Sequence, residues 1–225
     1  MEYQLHSLKN GIRVLHKKSD ANDISHCCVV INTGAREEGQ DKVGLAHFLE
    51  HLFFKGTANR NTNQILNRLE VVGGDINAYT TKEHTCIHAS FLNQHLDRAA
   101  ELISDILFHS TFPEKEINKE RGVILDEIDS YLDLPEEAIQ DDFEGLLFKG
   151  HALGNNILGT AETVNKINKK DVIKFLKNRY NAFCYLLLKD IFPQNALDLK
   201  IISKNSLLYH YFKRKNRWRR GKKTK

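Results

Sequence analysis

Nothing in this 225-residue chain approaches the ~20 consecutive apolar side chains that a membrane-crossing helix requires. The amino terminus, MEYQLHSLKNG, lacks the basic-then-apolar pattern of a secretory leader, so export is not indicated and a cytoplasmic location is expected. Cysteine is scarce. Four are too few for a disulfide scaffold, and adjacent Cys27 and Cys28 sit in a strand-like run that sends their side chains to opposite faces, so reduced thiols are expected. No internal repeat or low-complexity linker interrupts the chain before residue 182. What is present, 41% hydrophobic and 28% charged residues, is ordinary globular composition. The length suffices to bury a core, as one large domain or two small ones.

Acidic residues are missing altogether from residues 213–225, KRKNRWRRGKKTK, which hold nine basic groups. Subtracting these from 33 Lys plus Arg leaves 24 basic against 29 acidic groups in residues 1–212, a net of −5. Such a tail can attract nucleic acid or anionic lipid, and Trp218 can stack on a base. A solvated, disordered end is the preferred reading, and nucleic acid ranks last among the partners considered.

Two histidines and a glutamate crowd into GLAHFLEHLFFKGT, residues 44–57. On a helix, His47 and His51 lie one turn apart on one face with Glu50 beside them. Two neutral imidazoles so spaced can grip one zinc ion, and the adjacent carboxylate can take a proton from a water that the ion acidifies. This is the inverted zinc motif, HxxEH. The competing reading is an amphipathic helix with its polar side in solvent. A catalytic zinc site needs a third protein ligand and an open fourth position. In PEKEINKERGVILDEIDSYL, residues 113–132, a proline suited to a first helical turn precedes Ile117, Ile124, Ile128 and Leu132 at near-helical spacing. Glu120 and Glu127, seven apart, share a stripe with Val123, Ile124 and Tyr131. A carboxylate among core residues needs a cation to receive it, and zinc would do so; a solvated helix edge is the alternative.

AHFLEHLFFKGT followed by ERGVILDEI resembles the pitrilysin family of zinc peptidases, which includes mitochondrial processing peptidases and insulin-degrading enzymes. The resemblance implies His47, His51 and Glu127 as ligands of one Zn²⁺, Glu50 as general base, and Glu120 as an assisting acidic residue. The S-ribosylhomocysteine lyases also carry an HxxEH helix but close the site with a cysteine; Cys86 and Cys184 are not in a comparable setting. A second matching stretch, GGDINAYTTKEHTCIHASF, residues 73–91, reads as a glycine turn and a β-hairpin. In the family, the segment resembling Asn77, Ala78, Tyr79 and Thr80 is an exposed strand that pairs with the substrate backbone, a mode that tolerates many side chains. Without the resemblance, Asn77 could equally end a strand or make a turn.

Along the chain, EYQLHSL and IRVLHKK flank KNG, a hairpin signal, and SHCCVVINTG reads as a strand covered on both faces. Residues 61–72 read as a helix with Ile65, Leu66, Leu69 and Val72 inward. Residues 93–110 read as a helix capped by Asn93, with Leu96, Ala100, Ile103 and Leu107 on one side. A helix near 136–148, a Gly-rich connection through Gly159 and a helix in KKDVIKFLKNRY complete the pattern. The expected class is α+β: helices packed on one face of a mainly antiparallel sheet, as in a pitrilysin-like N-terminal domain. Residues 1–182 are expected to form this domain and 183–225 a divergent tail, with a strand at 184–189 and then nothing resembling the family. In complete members a second half closes a chamber over the zinc. An ending truncated or shifted in reading frame is therefore weighed, and two functions follow: a zinc endopeptidase acting on extended peptides, or a catalytically silent half-length partner of a second-half chain or homologous subunit.

Overall fold

The computed structural model describes residues 3–7, 12–18 and 22–180, and the strand at 184–190. The basic stretch 213–225 lies outside the described residues. Two strands, β1 (Gln4–Ser7) and β2 (Arg13–Lys18), pair antiparallel, as the flanks of Asn-Gly predict. Then comes β3 (Ile24–Ile31), whose alternate residues Cys27, Val29 and Ile31 are buried. Cys28 is only half-buried, so the adjacent thiols do part to opposite faces; none of Cys27, Cys28 and Cys86 is disulfide-bonded.

After two short 3₁₀ turns the chain enters α1 (Leu45–Phe53), the HFLEH helix. Helix α2 (Thr62–Glu70) begins at Asn61, whose side chain accepts from Gln64 N–H at 3.0 Å while Gln64 Oε1 accepts from Asn61 N–H at 2.9 Å; this reciprocal cap fixes its start. Ile65 and Leu69 face the core, but Leu66 does not: it is exposed, because the helix is amphipathic with only a narrow buried stripe.

Strands β4 (Asp75–Thr80) and β5 (Thr85–Leu92) form the expected hairpin. Helix α3 runs Leu96–His109, entered through a 3₁₀ turn rather than from an Asn93 cap. Asn93 instead accepts a hydrogen bond from Ser25 Oγ at 2.5 Å, and the buried face is Ala99, Leu102, Ile103 and Ile106. Next come α4 (Glu114–Leu132), α5 (Pro135–Leu147), a short α6 (Ala161–Asn165), and α7 (Lys169–Arg179), which Asn168 caps at Lys170 and Asp171. In α4, Ile117, Ile124 and Ile128 are buried, whereas Val123 and Leu132 are exposed.

The final described strand, β6 (Cys184–Asp190), enters the middle of the sheet, giving the order β1-β2-β6-β3-β5-β4. It runs antiparallel to β3 and parallel to β2, so the six-stranded sheet is mainly antiparallel. The core lies between this sheet and the helices on one side. Val29, Ile31, Ile87, Ala89 and Phe91 from the sheet meet Phe48, Leu49, Leu52, Phe53, Leu102 and Ile106 from α1 and α3. Two consequences position the site: α1 is pinned in the core by its apolar side, and β4 ends the sheet as an edge strand.

Candidate metal centre

Helix α1 turns its histidines toward α4. His47 Nε2 and His51 Nε2 are 3.2 Å apart, and the Glu127 carboxylate lies 3.7 Å from the first and 3.6 Å from the second. One ligand atom from each of these residues lies within 4.8 Å of the others; among the described residues no other three His, Cys, Asp or Glu side chains converge so closely. Helical spacing explains the histidine pair, but a tertiary crossing of α1 over α4 is needed to bring in Glu127, 76 residues after His51.

The protonation pattern follows from the neighbours. Glu120 is buried and accepts from His51 Nδ1–H at 3.3 Å, with Lys55 Nζ on its other oxygen at 2.8 Å. That donation leaves the His51 Nε2 lone pair facing the cluster, a tautomer assigned from its carboxylate partner. Burial, helped by the charge of His51, drops His47 to about 4, so its ring is neutral near pH 7. Two imidazole nitrogens at 3.2 Å require a positive centre or a shared proton between them. Two imidazole nitrogens plus a carboxylate form the donor set of a catalytic zinc site, and these residues fit such an ion.

Glu50 stands beside this cluster rather than in it. Burial raises its carboxyl above the usual glutamate value, against hydrogen bonding from Thr80 and the attraction of His51, while the charge of Glu127 pushes it further up. Two clefts open on Glu50. One, of about 510 Å³, is lined by His47, Glu50, Tyr79, Thr80 and Glu127 and closed by Tyr131, Asp141 and Leu158. The other, of about 250 Å³, is lined by Glu50, His51, Phe54, Lys55, Asn77 and Glu120. Of the four β4 residues singled out in the sequence, Tyr79 and Thr80 thus line the first cleft and Asn77 the second, while Ala78 is buried between them.

Sequence reading missed the far wall of the larger cleft. Asp141 on α5 accepts from Tyr131 Oη–H and from Asn156 Nδ2–H, both at 2.8 Å, which ties α5 and the following loop to α4. It also missed Glu38, whose carboxylate oxygens accept from Gly44 N–H at 2.9 Å and Ala46 N–H at 2.5 Å at the start of α1. The one available signal was the absence of a Ser, Thr, Asp or Asn at the helix start.

A one-sided sheet-and-helix domain with an HxxEH helix set against a distant glutamate is the architecture of a pitrilysin-like zinc peptidase domain. The chain belongs to the insulinase family, peptidase family M16, which it matches over residues 13–161. It is 35% identical over 175 residues to a zinc protease of Bacillus subtilis (78% of this chain, 43% of that protein), and 38% identical over 183 residues to the mitochondrial-processing peptidase subunit beta of Mus musculus (80% and 37%). The crystal structure of the first half of the periplasmic protease PqqL from Escherichia coli superposes with a TM-score of 0.81 at 25% identity, covering 90% of this chain and 45% of that one. The chain therefore spans less than half the length of the curated relatives it matches. No helix among the described residues is long and apolar enough to cross a membrane.

Proposed function

We propose that this chain is the metal-bearing half of a zinc-dependent endopeptidase that cleaves extended peptides. His47, His51 and Glu127 hold one Zn²⁺, Glu50 is the general base, and Glu120 keeps His51 in its ligating tautomer. The observation that carries this reading is the convergence of two Nε2 atoms and the Glu127 carboxylate beside a Glu50 carboxyl raised by burial. Zinc, when bound, supplies Lewis acidity that polarises the scissile carbonyl and brings the pKa of a water toward ~7.

Glu50 takes the proton of that water and later hands it to the leaving amine. A carboxyl lifted by burial holds a proton better between the two transfers than an ordinary exposed one. The substrate lies along edge strand β4, where Asn77 to Thr80 offer main-chain groups between the two clefts; this fixes the backbone with little demand on side chains and lowers the entropy cost of reaching attack geometry.

Glu50→Gln tests the assignment. In the chain alone and mixed with a second-half chain of the family, zinc content should persist while cleavage of unstructured peptides falls about 10²–10⁴-fold. Unchanged cleavage refutes it.

One observation favours a second reading, that the chain acts as a subunit covered by another. Ile139, Phe143, Leu146 and Leu147 form one stripe of α5 and are 62 to 77% exposed, an unusual apolar face to leave in water. A relative named as a subunit and a structure named as a first half support it. Mixing with a second-half chain separates the alternatives: turnover on mixing supports a split enzyme, and complex formation without turnover supports a silent partner.

A further inference from the structure

Helix α1 has a mechanical weakness at the point where its metal chemistry begins. His47 is only the third residue of the helix, in the turn where N–H groups have no intrahelical acceptor and ends fray. The usual remedy, a capping side chain on the residue before the helix, is closed to this chain. That residue is Gly44 at φ +95°, a left-handed conformation rather than the extended one a capping residue adopts, and a Cβ there would come within 2.6 Å of Leu158 O. Gly159, itself at φ +79°, packs equally tightly, since a Cβ on it would meet Val43 O at 2.4 Å. The close approach of the 158–159 loop, whose Leu158 helps to wall the larger cleft, therefore excludes a local cap.

The cap comes instead from six residues upstream. Glu38 accepts from both Gly44 N–H and Ala46 N–H, one oxygen to each, and so grips the turn on either side of Leu45. Phe48 N–H to Gly44 O at 2.9 Å then closes the first full turn around His47. The neighbouring acid, Glu37, does not share this task, because its carboxylate is committed to Gly34 N–H at 2.9 Å. His51 needs no such brace: it lies a turn deeper and is held by Glu120.

We propose that Glu38 is a positioning residue for metal binding, acting through the first turn of α1 to hold the His47 imidazole opposite His51. The proposal rests on the zinc reading above and concerns only one arm of that site. A carboxyl here is retained against its own burial, which pushes it up to about 8 in spite of the two donors.

The test uses the 225-residue chain with Glu38→Gln, which keeps one acceptor oxygen, and Glu38→Ala, which keeps none. In the metal-free chain at pH 8, the His47 ring ¹⁵N signals should shift or broaden in both variants while those of His109 stay in place. Zn²⁺ affinity, measured by chelator competition well below the unfolding temperature, should fall about 10-fold or more for Ala and less for Gln, and the Co²⁺ visible spectrum should change shape. Unmoved His47 signals with only a lowered unfolding midpoint would overturn the proposal and leave Glu38 as a plain helix cap. If Ala fails to fold, Gln alone decides the outcome. Should the parent chain bind no zinc, the peptidase reading fails, whereas the ring signals still decide the role of Glu38.

Discussion

Around Asp105, on α3, every acceptor is taken. Thr57 Oγ1 and Arg60 Nη1 donate to one oxygen at 2.8 and 2.6 Å, and Asn59 Nδ2 and His109 Nδ1 to the other at 2.6 and 2.9 Å. Around His47 and His51 the inventory is the reverse. Two Nε2 atoms face each other, His47 Nδ1 is buried without a hydrogen-bond partner, and Glu127 is half exposed at 3.6 to 3.7 Å from both rings. Both clusters join histidine to carboxylate. In the first, protein donors take every lone pair of the carboxylate; the second turns two ring nitrogens and a carboxylate toward one another with no donor from another side chain between them. Residue type therefore does not separate a structural cluster from a candidate metal centre, whereas the count of acceptors left without a donor side chain does.

The sharpest way to break this distinction is Asp105→Ala. Removing the acceptor leaves Arg60 Nη1 and three other donors unpaired, although Glu101 still holds Arg60 Nη2, in a site where the Asp105 side chain is fully buried, so unfolding free energy should drop by about 3 kcal/mol in urea titrations, with Zn²⁺ affinity of the folded chain unchanged. A loss below about 1 kcal/mol would mean that the network contributes little to the fold.

Acid should then separate the clusters by pH. His47 has a folded pKa of about 4 against 6.5 when unfolded, so the unfolded chain takes up a proton that the folded chain refuses. Its contribution is fully present above about 6.5 and is lost as pH falls toward 4, on the order of 3 kcal/mol for the metal-free protein. Asp105 is also held below its ordinary value: burial pushes it up, but bonds from Asn59, Thr57, Arg60 and His109 prevail. Its contribution is present above 3.8 and lost only at lower pH. Glu38 and Glu50 work in the opposite sense, being raised above 4.5, so the comparison is made as the difference between the parent and His47→Asn. That difference should appear between pH 6.5 and 4; a flat difference across this window removes the case for a neutral, buried His47.

The smallest effect on stability should come from Glu127→Gln. A half-exposed carboxylate with no donor to satisfy contributes within about 0.5 kcal/mol to folding, yet Zn²⁺ affinity should fall about 100-fold or more. Calorimetric zinc titration paired with thermal unfolding reads both numbers. Equal affinity in parent and variant would put Glu127 outside the ligand set.

Much of this was legible in the residues because it depends on short spacing. HFLEH places three side chains on one helical side without help from the rest of the chain, and Glu120 and Glu127 share a stripe for the same reason. The hairpin of β4 and β5 follows from its flanking glycines and alternating β-formers. Inward and outward positions were less legible. Leu66 and Val123 fit the helical period yet face solvent, because period fixes which residues share a side but not how wide a side is covered. Asn93 carries the chemistry of a cap and is drawn instead to Ser25 on a distant strand. Glu38 and Asp105 had little local signature, since apart from His109, one turn after Asp105, their partners lie six to forty-eight residues away in the chain.

Local spacing by itself determined the histidine pair, the glutamate beside it and the helices and strands of this region, because an α-helix or a strand fixes neighbours within a few residues. The tertiary structure alone decided that β6 enters between β2 and β3, that α4 crosses α1 so as to deliver Glu127, and that the 158–159 loop leaves the helix start to be gripped by Glu38. Those outcomes turn on which apolar faces pack together across the whole chain, a competition that no short stretch encodes.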